Sequence, residues 1–166
     1  FVGHYEDDER VECLKKLVVS GFNVKIWGPG YDWDPILLKI PELKHLVPIQ
    51  LVWEEEYNKA ICGAKIALCF LSKLNKDTYT RRCFEIPACE VMMLSSYSDD
   101  LNNLFINDNE IVMFKTVDEL ISKSDYYLKN SIERNNIAKN GKESIKSNKH
   151  DIKNRMKSLI YFINQL

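Results

Sequence analysis

Two hydrophobic rhythms alternate along the chain. Short apolar runs read as strands: Phe1-Val2, Val24 with Ile26 and Trp27, Ile49 to Val52, Ile66 to Leu71, Val91 to Leu94 and Ile111 to Phe114. Between them, apolar side chains recur at helical spacing. A helix over 7–20 lines up Val11, Leu14, Leu17 and Val18, and one over 53–64 lines up Tyr57, Ile61 and Ala64. Gly21 stands where a helix C-cap wants positive φ. Thr116 and Glu119 form a capping box, opening a helix whose core face is Leu120, Ile121, Tyr127 and Leu128. A short helix is predicted near 101–105, and two more close the chain at about 132–146 and 151–165. The last carries Ile152, Met156, Leu159, Ile160 and Ile163 on one stripe. Residues 28–47 hold Gly28, Pro29, Gly30, Pro35 and Pro41 and read as loop with one short helix. The unbroken run from Ile66 to Leu71 belongs to a parallel strand covered by helices on both faces. The pattern therefore predicts an α/β fold. It is a Rossmann-like parallel sheet with helices on both faces and a helical C-terminal tail, binding its ligand beyond the strands' carboxyl ends.

Composition narrows this picture. The 166 residues suit one domain, here 1–150, with 151–166 as a C-terminal helix. With 45% hydrophobic and 28% charged residues, the chain is a globular domain and not a disordered segment. No apolar run approaches the roughly 20 residues of a membrane span. Five cysteines, an odd number mostly in apolar surroundings, fit a reducing, cytoplasmic setting. The start at Phe1, without a methionine, leads us to expect a piece of a longer protein. Charge is uneven: residues 129–157 carry nine basic and three acidic side chains, a local net of +6 against −7 elsewhere. Aromatic residues do not interleave with these lysines, which argues against nucleic acid. A solvated helix face is the ordinary explanation, and peripheral membrane contact through the basic tail is its alternative.

Several motifs do not complete themselves. Gly28-Pro29-Gly30 follows a strand, yet it lacks a third glycine, and Pro29 removes a donor that a phosphate would want; it reads as a turn. No Walker lysine is present. His4, His45 and His150 have no cysteine or histidine at metal-ligand spacing, so no metal site is expected. Cys83 and Cys89 read as packing residues. The informative segment is 77–89, Asp-Thr-Tyr-Thr-Arg-Arg-Cys-Phe-Glu-Ile-Pro-Ala-Cys, directly after the apolar strand. If mostly helical, it would turn Asp77 and Glu85, with seven residues between them, toward one ligand. Carboxylates accept from vicinal sugar hydroxyls and arginine forks suit phosphate, so the set suits a ribose and a diphosphate. A capped surface helix, with the arginines as partners of Glu85, explains the same residues equally well.

The stretch Arg82-Cys-Phe-Glu-Ile-Pro-Ala-Cys89, with Met93-Leu94-Ser95 and Leu104-Phe105, resembles the CgeB-like (spore maturation) glycosyltransferases, which are similar to the group-1 transferases of GT-B arrangement. Phe1 to Glu6 with Arg10, Glu110-Ile-Val, Asp118-Glu-Leu and Ile137-Ala-Lys-Asn-Gly141, taken as a helix ending on glycine, also fit. The resemblance implies the carboxyl-terminal half of such an enzyme, with a nucleoside-diphosphate sugar as its partner and no metal or other cofactor. A missing amino-terminal domain would present the acceptor. Glu85 would meet the ribose, Asp77 would take the place of the family's first glutamate, and Gly3, His4, Arg10 and Arg82 would border the diphosphate. The family pattern continues with glycine where this chain has Glu90, which would put bulk and negative charge beside the diphosphate. The competing expectation is a non-catalytic interaction or nucleotide-sensing module on the same scaffold.

Overall fold

A computed structural model describes residues 1–165. Its centre is a parallel sheet of β1 (Ile66–Cys69), β2 (Met92–Ser96) and β3 (Val112–Phe114), in that order, with Leu68 opposite Leu94 and Leu94 opposite Val112. Side chains along these strands alternate between two cores. Leu68, Phe70, Met92, Leu94, Val112 and Phe114 face one. Ala67, Cys69, Met93 and Met113 face the other. Both faces are therefore apolar, as the unbroken run at 66–71 required.

Helices cover each face. On the first lie α1 (Arg10–Val19), through Cys13, Leu14 and Leu17, and α6 (Val117–Lys129), through Leu120 and Tyr127. Also there is α2 (Gly30–Leu37), which contributes the fully buried Trp33 and is followed by a 3-10 turn at Lys44–Leu46. The second face is covered by α3 (Glu54–Cys62), α4 (Arg82–Ala88) and α5 (Asp99–Leu104), through Ile61, Ile86 and Leu101. Thr116 caps α6 by accepting from the Glu119 amide, and Glu119 returns a carboxylate to the Lys115 amide. The capping partner is thus one residue earlier than the ideal box. Gly21, at φ 85°, follows α1.

Three expected strands are reduced. Val2, Trp27 and Gln50 pair only as single parallel bridges, Val2 with Trp27 and Trp27 with Gln50. Each carries one or two ladder bonds, such as Gly3 N to Trp27 O (2.9 Å) and Gly28 N to Gln50 O (3.0 Å). Pro29 has no amide proton to continue the ladder, which stops it at Gly28.

Helix α7 (Ser131–Ser147) also corrects an expectation: it does not end on Gly141 but runs through it. A Cβ at Gly141 would come 2.4 Å from the Glu110 carbonyl and 3.2 Å from Pro87, so glycine is needed for helix packing and not for a cap. Helix α8 (Ile152–Ile163) follows and has no buried residue; its stripe from Ile152 to Ile163 lies open to solvent. Among the described residues no helix is long and apolar enough to cross a membrane.

Glu90 follows α4 with φ 57°, the left-handed region that a glycine enters freely and other residues enter at a cost. Its carboxylate pairs with Lys142 of α7 at 2.8 Å. Glu90→Gly removes backbone strain and loses one exposed ion pair, and exposed pairs contribute little. The variant is expected to melt about 2–4 °C higher than the parent. A lower Tm in a thermal scan would show that the Lys142 pair outweighs the backbone term.

Candidate functional site

The three bridged segments run parallel, so their carboxyl ends emerge side by side. Gly3 and His4 follow Val2, Gly28 and Pro29 follow Trp27, and Leu51, Val52 and Trp53 follow Gln50. All of them line one cavity of about 570 Å³, closed on another side by Tyr57 and Asn58 of α3 and by Arg81, Arg82, Glu85 and Cys89 around α4. That volume suits a nucleotide-sized ligand. Its position, beyond the carboxyl ends of parallel segments, is where open α/β sheets bind ligands.

Of the six residues expected to bind a donor, the structure brings Gly3, His4, Arg82 and Glu85 together here. Gly3 is small for a reason: a Cβ at this position would come 2.6 Å from the Phe1 ring and 3.3 Å from the Arg82 guanidinium. Arg82 therefore passes beneath the Gly3 backbone. Half-buried, it has no hydrogen bond or ion pair among the described residues, while its neighbour Arg81 is spent on Glu85. An unpartnered guanidinium on a cavity wall calls for an anion. His4 is mostly exposed at the rim, its Nδ1 3.4 Å from Asp32.

Glu85 is held by one hydrogen bond and one ion pair. The Tyr57 hydroxyl donates to Oε2 at 2.6 Å, and the Arg81 guanidinium forms an ion pair with Oε1, its Nε 2.7 Å away. Burial, with the hydrogen bond to the Glu85 carboxylate, pushes the Tyr57 phenol well above its ordinary value, so Tyr57 remains a donor at any working pH. The carboxylate keeps two acceptor positions free for a ligand's hydroxyls.

Two expected residues lie elsewhere. Arg10 does not line the cavity: its side chain is only 6% exposed and engaged in a cluster of its own. It donates twice to Asp8 (2.7 Å each), once to Glu6 (2.8 Å) and once to the His4 carbonyl (2.8 Å). Glu6 in turn accepts from the Ser72 hydroxyl and the Leu74 amide, so this cluster ties the loop after Val2 to the loop after β1. Asp77 does not line the cavity either. Helix α4 begins only at Arg82, and residues 77–81 are irregular, so the two-turn spacing that would align Asp77 with Glu85 never forms.

Glu90 also departs from expectation. It is absent from the cavity wall and turned to Lys142, so its charge does not stand beside the site. Pro87, one residue from the end of α4, keeps that helix to two turns. Cys83 is fully buried, its Sγ 3.7 Å from that of Cys69, and does not reach the cavity. Cys89 does reach it, and burial pushes its thiol up to about 11, which keeps it protonated and poorly nucleophilic.

Sequence reasoning overlooked Trp53, Tyr57 and Asn58. Trp53, largely exposed at the mouth, is the one residue with a readable signal: a large aromatic directly before an acidic helix start. Glu54, at φ 46°, makes the turn that carries the chain from Trp53 into α3.

The cavity thus presents a carboxylate for vicinal hydroxyls, a free guanidinium for an anion and an aromatic rim. A model of glycosyl transferase-like proteins matches residues 9–161. The chain belongs to the glycosyl transferase-like family. Among curated proteins no sequence matches it. Solved structures do resemble it. Anabaena HepE in complex with UDP-glucose superposes with a TM-score of 0.74 at 10% identity, over 100% of this chain and 49% of HepE. HepE in complex with UDP gives 0.71 at 12%, over 99% and 48%. The C-terminal domain of the group 1 glycosyl transferase LpcC from Francisella tularensis gives 0.66 at 16%, over 92% and 84%. The glycosyl transferase-like chain therefore spans about half the length of HepE. It has the fold of one glycosyltransferase domain: a parallel sheet with helices on both sides.

Proposed function

We propose that this glycosyl transferase-like domain binds a nucleoside-diphosphate sugar donor in the 570 Å³ cavity, with Glu85 accepting from the ribose hydroxyls and Arg82 meeting the diphosphate. The observation that carries the proposal is Arg82, a half-buried cation with no anionic partner among the described residues, beside a carboxylate already fixed by the Tyr57 hydroxyl and the Arg81 ion pair. In support, HepE, which has the same fold, has been captured with UDP-glucose and with UDP. Transfer needs charge stabilisation on the departing diphosphate, and Arg82 is the cation this chain offers it; the Gly3 amide is not available, since it donates to the Trp27 carbonyl. A second domain would then carry the acceptor. The chain's length relative to HepE and the open face of α8 agree with that arrangement. The Phe84-Glu85-Ile86-Pro87-Ala88-Cys89 run supports the CgeB-like branch of the family, with spore maturation as the setting to test, and the unpaired cysteines support a cytoplasmic one.

A thermal-shift titration with UDP, GDP and ADP tests this reading. Saturation at about 100 times Kd stabilises a fold by about 2.7 kcal/mol. In a domain of this size that raises Tm by about 5–10 °C. At least one diphosphate is expected to do so, and Arg82→Ala is expected to erase its advantage over the corresponding nucleoside. No shift with any of the three at millimolar concentration overturns the reading and favours the interaction module.

A further inference from the structure

The donor-site reading leaves open what keeps Glu85 aimed into the cavity, and the two groups that hold it are unequal. Arg81 is 83% exposed and lies four residues before Glu85, at the N-cap of α4. Exposed pairs of this kind hold a side chain weakly, because solvent competes for both partners. Tyr57 comes from α3, a separate helix, 28 residues earlier in the chain. Its ring lines the cavity, its hydroxyl is part-buried, and the 2.6 Å bond to Oε2 is in the short, charge-assisted class.

We propose that Tyr57 is a positioning residue for the donor site. It fixes the Glu85 carboxylate so that the remaining lone pairs face two vicinal hydroxyls. The inference rests on the assignment of Glu85 to a ribose. Oε2 accepts from Tyr57 and Oε1 is ion-paired with Arg81, so each oxygen still has an acceptor direction for a ligand. A cis-diol presents two hydroxyl donors side by side and matches that remainder. Without the phenol, the carboxylate has only the solvent-exposed Arg81 to follow and is free to rotate before a ligand arrives. The cost then falls on the diol alone and leaves the base and the diphosphate untouched.

The chemistry supplies a clean test. Affinities by isothermal titration calorimetry are compared for whichever of UDP, GDP and ADP binds, and for its 2′,3′-dideoxy counterpart. Each is measured on the parent chain, Tyr57→Phe, Glu85→Ala and the double variant. Tyr57→Phe is expected to weaken the ribonucleotide about 10-fold, the size of one hydrogen bond to a charged group, and to leave the dideoxy compound unchanged. In the Glu85→Ala background, the same substitution is expected to have no further effect. Equal weakening of both nucleotides by Tyr57→Phe would make Tyr57 a cavity wall and overturn the proposal, as would no weakening of either. If instead Glu85→Ala weakens the ribonucleotide and its dideoxy counterpart equally, or weakens neither, the ribose assignment fails first and takes the inference with it. The Tm of each variant is recorded alongside. If Tyr57→Phe unfolds, Arg81→Ala carries the comparison: the Tyr57 account expects it to weaken the ribonucleotide less than 3-fold, and a larger loss shows that Arg81 is the group that aims Glu85.

Discussion

Arg10→Met is expected to destabilise the domain by about 3–5 kcal/mol, the cost of removing one partner from a buried ion-paired network. Methionine is long enough to fill part of the space, so the loss comes mainly from charge. The Glu6 and Asp8 side chains, only 10% and 4% exposed, would be left buried without their cation. The His4 carbonyl would also lose a donor. The pH dependence separates this account from one based on lost packing. Burial by itself raises the Glu6 carboxyl. The Leu74 amide, the Ser72 hydroxyl and the Arg10 charge outweigh it and hold Glu6 below its ordinary value of 4.5. A depressed carboxyl stabilises the fold above its unfolded value, and that stabilisation is lost as pH falls through the folded one. In the variant the Glu6 carboxyl, without the Arg10 charge, accepts a proton more readily. The deficit in urea unfolding is therefore expected to be largest near pH 7 and to narrow toward about pH 4. An equal deficit at both pH values would point to packing alone.

Glu85→Ala is expected to abolish the nucleotide-induced rise in Tm while leaving the unliganded Tm nearly unchanged. The side chain is 29% exposed and its loss opens no core cavity. Each hydrogen bond from a ribose hydroxyl to the carboxylate contributes about 1.5–3 kcal/mol. Losing two weakens binding by roughly 10²-fold or more. At millimolar nucleotide, a complex of ordinary micromolar affinity then drops to the edge of detection. Glu90→Gln serves as the control, because Glu90 faces Lys142 and lies off the cavity wall. A retained shift in Glu85→Ala would remove the ribose assignment, and a loss in Glu90→Gln would mean that the cavity's far side matters more than its geometry indicates.

The two variants divide the residues singled out from the sequence along a physical line. Arg10 and Arg82 look alike as letters: each is an arginine at a helix start near a glycine or a glutamate. Only tertiary contacts tell them apart. Arg10 meets two carboxylates and a carbonyl, while Arg82 passes under Gly3 and meets none among the described residues. Asp77 and Glu85 show the same limit. Their spacing suggested one face of a helix, but the helix begins at Arg82, and spacing means nothing across an irregular segment. Tyr57 is invisible as a partner of Glu85 because 28 residues separate them, and no local pattern reports a contact of that range.

What the chain determined by itself is local in origin. Alternating apolar runs and helical stripes were enough to establish the α/β class, the three central strands, the covering helices and the capping of α6. Each of these depends on periodicity and on residues three or four apart. Glu85 also stood out, through the motif around it. The tertiary structure decided the rest. It reduced three strands to single bridges whose carboxyl ends build the cavity, and carried α7 through Gly141. It also turned Glu90 toward Lys142 and placed Arg82 on the cavity wall. These outcomes depend on which side chain satisfies which charge across the fold, and that balance exists only once distant segments have met.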